Sequence, residues 1–162
     1  MKPAVNSAGG RDLDELDLKI LEYLQADSRR PFLEIARYLK VSGGTVHARV
    51  NRLKELGVIQ GSKVVIDYQK VGFHVMAFVG IKLSKAKEVK QIQEQLASIE
   101  EIVEIHYTTG AYSLLTKIVV PSMQDLYRLL ADKLQRIEDV QSTETFIVLN
   151  SPLIRDPSLG FG

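Results

Sequence analysis

The sequence predicts an α+β chain in two parts, three helices followed by a unit of order β-α-β-β-α-β. Three observations carry this reading. Apolar residues in the first third step by three and four, the period of helices buried along one side. After Val71-Gly72-Phe73 the texture shifts to strand-like runs interleaved with two helix-period segments. Charge is uneven as well. Between Arg29 and Lys63 eight basic residues are opposed only by Glu34 and Glu55, whereas from Gln69 onward ten basic residues stand against eleven acidic ones.

The first helix is expected from about Asp12 to Ala26, with Leu13, Leu16, Ile20, Leu21 and Leu24 on its apolar side. Asp12, Asp14, Glu15 and Asp17 crowd its first turn, where the helix dipole favours negative charge. A second helix starts near Pro31 and carries Phe32, Ile35, Ala36 and Leu39. Lys40-Val41-Ser42-Gly43 breaks the pattern, and Ser42 suits the N-cap of a third helix from about Gly44 to Leu56. In that helix Val46, Val50 and Leu53 face inward, and Gly57 follows as its C-terminal stop. Val58, Ile59 and then Val64, Val65 and Ile66 read as one or two short strands.

Val75 to Ser84 reads as a strand apolar on both faces: Val75, Ala77, Val79, Ile81 and Leu83 on one, Met76, Phe78 and Gly80 on the other. A helix follows from Lys85 to Ser98, then strands at Val103–Thr109 and Tyr112–Val120, a helix marked by Met123, Leu126, Leu130, Leu134 and Ile137, and a last strand from Gln141 to Leu149. Two right-handed βαβ halves give one antiparallel sheet with both helices on one face, the ferredoxin-like arrangement. Met76, Phe78, Leu115, Val119, Phe146 and Val148 would then lie in water, and an apolar patch of that kind usually marks a partner surface. A two-fold pairing of identical chains is the economical cover, a terminal segment folded over the patch the alternative.

Composition limits what the chain can do. It has 162 residues, 45% hydrophobic and 25% charged, which excludes a mostly disordered polypeptide. No apolar run reaches the roughly 18 residues of a membrane helix. The opening Met1-Lys2-Pro3-Ala4 lacks the apolar stretch of a secretory signal, so a cytoplasmic location is expected. There is no cysteine, hence no disulfide or thiolate metal site, and His47, His74 and His106 are too few for a histidine zinc site unless all converge. No metal and no cofactor are expected. The paired carboxylates Glu100/Glu101 and Glu138/Asp139 fall in exposed turns, and no catalytic motif spacing occurs, so an enzyme is not expected.

Two constellations suggest function. The second and third helices with their tight polar turn look like a helix-turn-helix, whose third helix would enter the DNA major groove. With Val46, Val50 and Leu53 buried, Gly44, Thr45, Ala48 and Arg52 point away from the core and Arg49 lies on a flank. Small Gly44 and Ala48 allow close approach, and Arg49 or Arg52 offers the fork that reads guanine. The candidate DNA-binding residues are Ser42, Gly44, Thr45, His47, Ala48, Arg49 and Arg52. Arg29, Arg30, Lys40, Lys54 and Lys63 suit phosphates. A solvated basic face is the competing explanation. The second constellation is Tyr107-Thr108-Thr109-Gly110-Ala111-Tyr112-Ser113 between the central strands, with Gln141-Ser142-Thr143-Glu144 on the last one. Its hydroxyls suit a small polar ligand, although spacing alone fits an ordinary hairpin.

Taken in order, Leu16-Asp17-Leu18-Lys19-Ile20-Leu21, Glu34-Ile35-Ala36, Val41 to Leu53, Gly57-Val58-Ile59, Tyr107 to Ser113 and Gln141-Ser142-Thr143-Glu144-Thr145 resemble the Lrp/AsnC (feast/famine) family of transcription regulators over about Asp12 to Ile154. Pro, Ser and Gly-Gly with little apolar content read as a flexible tail at 1–11, and the resemblance implies a helix-turn-helix (winged-helix-like) DNA-binding domain at 12–60. It further implies a linker strand at 61–73, a ferredoxin-like amino-acid-binding and oligomerisation domain at 74–154, and a C-terminal tail at 155–162. It implies double-stranded DNA as partner, no membrane partner, and dimers that assemble further into octamers. It also implies an effector site at Thr109, Gly110, Tyr112, Ser113, Gln141, Ser142 and Thr143. Ala48-Arg49 stands where many members have two arginines, and Ser113 where many have aspartate. Both features look like the AsnC branch, which makes asparagine the leading effector. The alternatives are a different effector or none, or an amino-acid-sensing module acting on a protein partner.

Overall fold

The computed structural model describes residues 13–84 and 89–159. The expected tail at 1–11 and the opening of the helix expected from Lys85 lie outside them. The chain divides into two compact units, residues 1–64 with 155–162, and residues 65–154.

The first unit holds helices α1 (Glu15–Ala26), α2 (Phe32–Leu39) and α3 (Gly43–Glu55). Asp14 caps α1 in a capping box: its carboxylate accepts from the Asp17 amide, and the Asp17 carboxylate accepts from the Asp14 amide. Helix α2 opens directly after Pro31, whose carbonyl accepts from the amides of Glu34 and Ile35. It ends at Lys40, which takes the left-handed conformation at φ 56° and so turns the chain within three residues to Ser42, the N-cap of α3. Gly57, at φ 70°, closes α3, and the Val58 amide returns to the Leu53 carbonyl. Ile20, Ile35, Ala36, Val46 and Val50 form the core, as the helical periods require.

Within the single chain the segment Val58–Ile66, expected as strands, is irregular, and with it much of the linker expected at 61–73. Residues 58–67 pair with no other strand among the described residues, and Val65 is 90% exposed. The β-rich pattern favours extended backbone, but a strand also needs a neighbour to take its amides and carbonyls. A short 3-10 turn, Tyr68–Val71, lies where the linker strand was expected. Residues 155–159 of the expected C-terminal tail group with the first unit.

The second unit contains β1 (Val75–Leu83), α4 (Val89–Ala97), β2 (Ile102–Tyr107), β3 (Leu114–Val120), α5 (Met123–Arg128) and β4 (Val140–Ile147). The strand order is β2-β3-β1-β4 with antiparallel neighbours, the expected ferredoxin-like topology. Ala77, Val79 and Ile81 of β1 and Leu114 and Ile118 of β3 form the core with Ile92 and Leu96 of α4 and with Leu126, Leu129 and Leu134. The expected helix through Ile137 changes pitch. A π turn at Leu129–Lys133 and a 3-10 turn at Leu134–Arg136 follow α5. The wide turn lets Leu129 and Leu134, five residues apart, both reach the sheet, a spacing a regular helix would not bury.

The open face of the sheet is less bare than expected. Val119 is buried, Met76, Phe78, Leu115 and Val148 are half-buried, and Phe146 is 45% exposed. Lys117 bridges to Glu104 at 2.8 Å, and His106 Nε2 lies 3.2 Å from the same carboxylate.

Candidate nucleic-acid and effector sites

Helix α3 has three faces. Val46, Val50 and Leu53 are buried. Gly44, His47, Ala48 and Asn51 are exposed on the opposite side. Asn51 was absent from the residues chosen by sequence. It lies one turn beyond His47, and its amide approaches His47 Nδ1 at 3.3 Å. The His47 ring meets Phe32 edge-on at 5.9 Å, so the outer face is braced from α2. Ser42 is engaged at the cap: its Oγ accepts from the Thr45 amide at 3.0 Å and lies 2.8 Å from the Thr45 hydroxyl.

The third face points at α1. Asp17 is fully buried, and its two carboxylate oxygens accept from Arg49 Nη1 at 3.1 Å and Arg52 Nη1 at 2.9 Å. Arg49 also binds the Asp14 carboxylate. The Asp17 amide, followed by the Arg49 guanidinium, holds the Asp14 carboxyl below its ordinary value; the hydrogen bonds to Asp14 and Asp17 hold Arg49 deeper in its charged form. A buried carboxylate left unpaired is costly, so this pairing fixes α3 against α1. The two arginines chosen as base readers are thus the lateral braces of the helix, with side chains 31% and 41% exposed. Spacing showed their charge but not this partner, because an aspartate in a first helical turn reads as a dipole complement.

The second site assembles around the end of β1. The Ser113 amide donates to the Ile81 carbonyl at 2.9 Å, which folds the β2–β3 loop back onto the central strand. The Tyr112 ring then lies over Gly80, where an added Cβ would stand 2.6 Å from Tyr112 Cγ. Phe146 meets that ring edge-on at 6.3 Å, and Lys82 Nζ lies 5.8 Å from its centre. On the other side of β1, Thr143 pairs with Ile81 and Ser142 with Lys82. Of the residues chosen by sequence, Tyr112, Ser113, Ser142 and Thr143 therefore converge on Gly80–Lys82. Gln141 is exposed at a bulge, since pairing steps from Lys82–Ser142 to Leu83–Val140. Thr109 and Gly110 occupy the exposed loop tip. Lys82 and Gly80 were not singled out as site residues; nothing in a strand pattern marks them until Tyr112 folds over.

Among the described residues, no group of three or more histidines and carboxylates could hold a metal, and no helix is long and apolar enough to cross a membrane.

Comparison with known proteins agrees with both halves. Residues 13–54 match the model of the AsnC-type helix-turn-helix domain, and residues 76–157 that of the Lrp/AsnC ligand binding domain. Regulatory protein AsnC of Haemophilus influenzae is 43% identical over 145 residues, covering 90% of this chain and 97% of that protein. Regulatory protein AsnC of Escherichia coli K12 is 39% identical over 143 residues, covering 88% and 94%. The solved structure of Escherichia coli AsnC superposes with a TM-score of 0.87 at 37% identity, covering 91% of this chain and 99% of that one. These relatives are regulators and not enzymes. The chain belongs to the Lrp/AsnC family and is a DNA-binding transcription regulator.

Proposed function

We propose that this regulator reads operator DNA with the outer face of α3 and senses a small amino acid, asparagine first, at the Tyr112–Lys82–Ser142 cluster. The observation that carries the DNA half is the division of labour on α3. Arg49 and Arg52 lock the helix to Asp17, and the face left outward is Gly44, Thr45, His47, Ala48 and Asn51. Gly44 and Ala48 let the backbone approach the groove, and Asn51 carries the amide that pairs with adenine N6 and N7. Ser42 supports this face as its cap. Arg49 and Arg52 keep enough exposure to meet phosphates from the flank.

The effector half rests on the fold-back of the β2–β3 loop. It gathers two sequence-distant sets of hydroxyls beside an ammonium, a chemistry that suits the carboxylate and polar side chain of an amino acid. Thr109, Gly110 and Gln141 would contact the ligand from the exposed rim. The half-buried sheet face, with Met76, Phe78, Leu115 and Phe146, is the surface for dimers, which assemble further into octamers. Ligand bound at a seam between dimers would bias one assembly over another, and DNA binding with it.

Thermal unfolding against the twenty amino acids tests the effector half. Asparagine at a hundred times its dissociation constant adds about 2.7 kcal/mol, a rise of several degrees in Tm. A shift with a different amino acid discards asparagine and keeps the site; no shift with any overturns amino-acid sensing. Operator binding should fall steeply with salt, because phosphate contacts release counterions. DNA affinity and assembly that are the same with and without the bound ligand would overturn the coupling.

A further inference from the structure

The first unit carries an apolar groove of about 620 Å³ whose wall includes Leu21, Leu24, Phe32, Val58, Ile59 and Leu159. Five of these come from α1, α2 and the turn after α3. Leu159 comes from the far end of the chain, beyond the whole of the second unit. It is half-buried, whereas Arg155, Asp156, Pro157 and Ser158 before it are exposed. Gln25 Nε2, on α1, donates to the Pro157 carbonyl at 3.4 Å. Pro152 and Pro157 restrict the segment before it binds, which lowers the entropy lost on docking.

We propose that the chain's own C-terminal segment docks along this groove and completes its wall, with Leu159 as apolar anchor and the Pro157 carbonyl as polar contact. The helical unit is then made of both ends of the chain, and two chain crossings, at Val64–Val65 and Ile154–Arg155, tie it to the second unit. The docking stands whether or not an amino acid binds.

The absence of cysteine gives a clean test. The full chain carrying Gln25→Cys and Pro157→Cys is treated with a short bis-maleimide and run under denaturing conditions. A link within one chain, at monomer mass, is the expected result. A link between two chains, or no link, overturns the proposal. Hydrogen exchange provides the second measurement, since the Val58 and Ile59 amides at the groove lip both donate to the Leu53 carbonyl. Leu159→Asp should lower their protection about tenfold, the scale of losing a partly buried leucine, and Leu159→Met should preserve it. Unchanged protection in Leu159→Asp overturns the anchor. Leu159→Ala is the milder form should the aspartate variant aggregate, with an intermediate loss expected.

Discussion

The ring of Tyr112 occupies the space that a side chain at residue 80 would fill: a Cβ on Gly80 would lie 2.6 Å from Tyr112 Cγ and 2.7 Å from both Cδ atoms. The ring is also held by Phe146 and Lys82, so it has little room to retreat. Gly80→Ala should therefore destabilise the protein by about 1–3 kcal/mol, the range for overpacking a tight site. In a Tyr112→Ala background the same substitution should cost much less. A double-mutant cycle by urea unfolding measures the difference. Equal costs in the two backgrounds would show that the ring does not depend on this glycine.

Asp17 accepts from two guanidinium groups while fully buried. Asp17→Asn keeps the shape and removes the charge. It should destabilise the helical unit by about 2–3 kcal/mol, the upper range for hydrogen bonds to charged groups. Arg49→Ala should cost less, because Arg52 stays on Asp17. Urea unfolding of the three proteins at neutral pH checks this order. It also identifies which losses of DNA affinity come from a misplaced helix.

The outer face of α3 should behave in the opposite way. Asn51→Ala removes an exposed side chain that braces no core residue, so stability should change by no more than about 0.5 kcal/mol, whereas His47→Ala also loses the edge contact to Phe32 and should cost up to about 1 kcal/mol. Loss of a bidentate base contact at Asn51 should cost about 1–3 kcal/mol of discrimination at one operator position. Lys54→Gln should instead weaken binding to every sequence and reduce the salt slope by about one. Competition binding to single-base operator variants, at several salt concentrations, separates the two behaviours.

Much of this fold was legible in the sequence because it rests on local rules. Ser42 and Gly57 mark the ends of α3 by their chemistry, and apolar residues on both faces of β1 mark it as a central strand. What was hidden depends on contacts between distant segments. Asp17 looks like any acidic residue in a first turn until Arg49 and Arg52, three apart on α3, arrive beside it. Gly80 looks like a small apolar strand residue until the β2–β3 loop folds back. At Val64–Ile66 β-propensity records a side-chain preference, whereas a strand also needs a hydrogen-bonding neighbour that no local pattern reports.

Three carboxylates sit below their ordinary range. Asp14 is lowered by the Asp17 amide and by Arg49, Glu101 by Lys133, and Glu104 by Lys117 and His106. A carboxylate with a lower folded than unfolded pKa stabilises the fold fully above its unfolded value. That contribution is lost as pH falls through the folded value. Stability should thus be flat from about pH 7 to 5 in these three groups and decline below about pH 4. All three are substantially exposed, so each contribution is small and screened by salt. Lys117→Gln and Lys133→Gln should flatten the acid limb in urea melts between pH 5 and 3. An unchanged limb would place the acid sensitivity elsewhere.

Gly110 supplies the sharpest separation between folding and ligand binding. A Cβ there would meet nothing within 4 Å, and its backbone is not in the left-handed region that favours glycine. The fold of the single chain therefore gives no reason for a glycine at this position, unlike Gly80. If its role is close approach of backbone to an amino acid or to a neighbouring subunit, Gly110→Ala should leave Tm of the unliganded protein unchanged and weaken the ligand-induced rise. Gly110→Val should weaken it further. Thermal melts with and without saturating ligand check both variants. A ligand-induced rise equal to wild type in the two of them would remove the loop tip from the effector site and leave the Tyr112–Ser142 cluster to carry it alone.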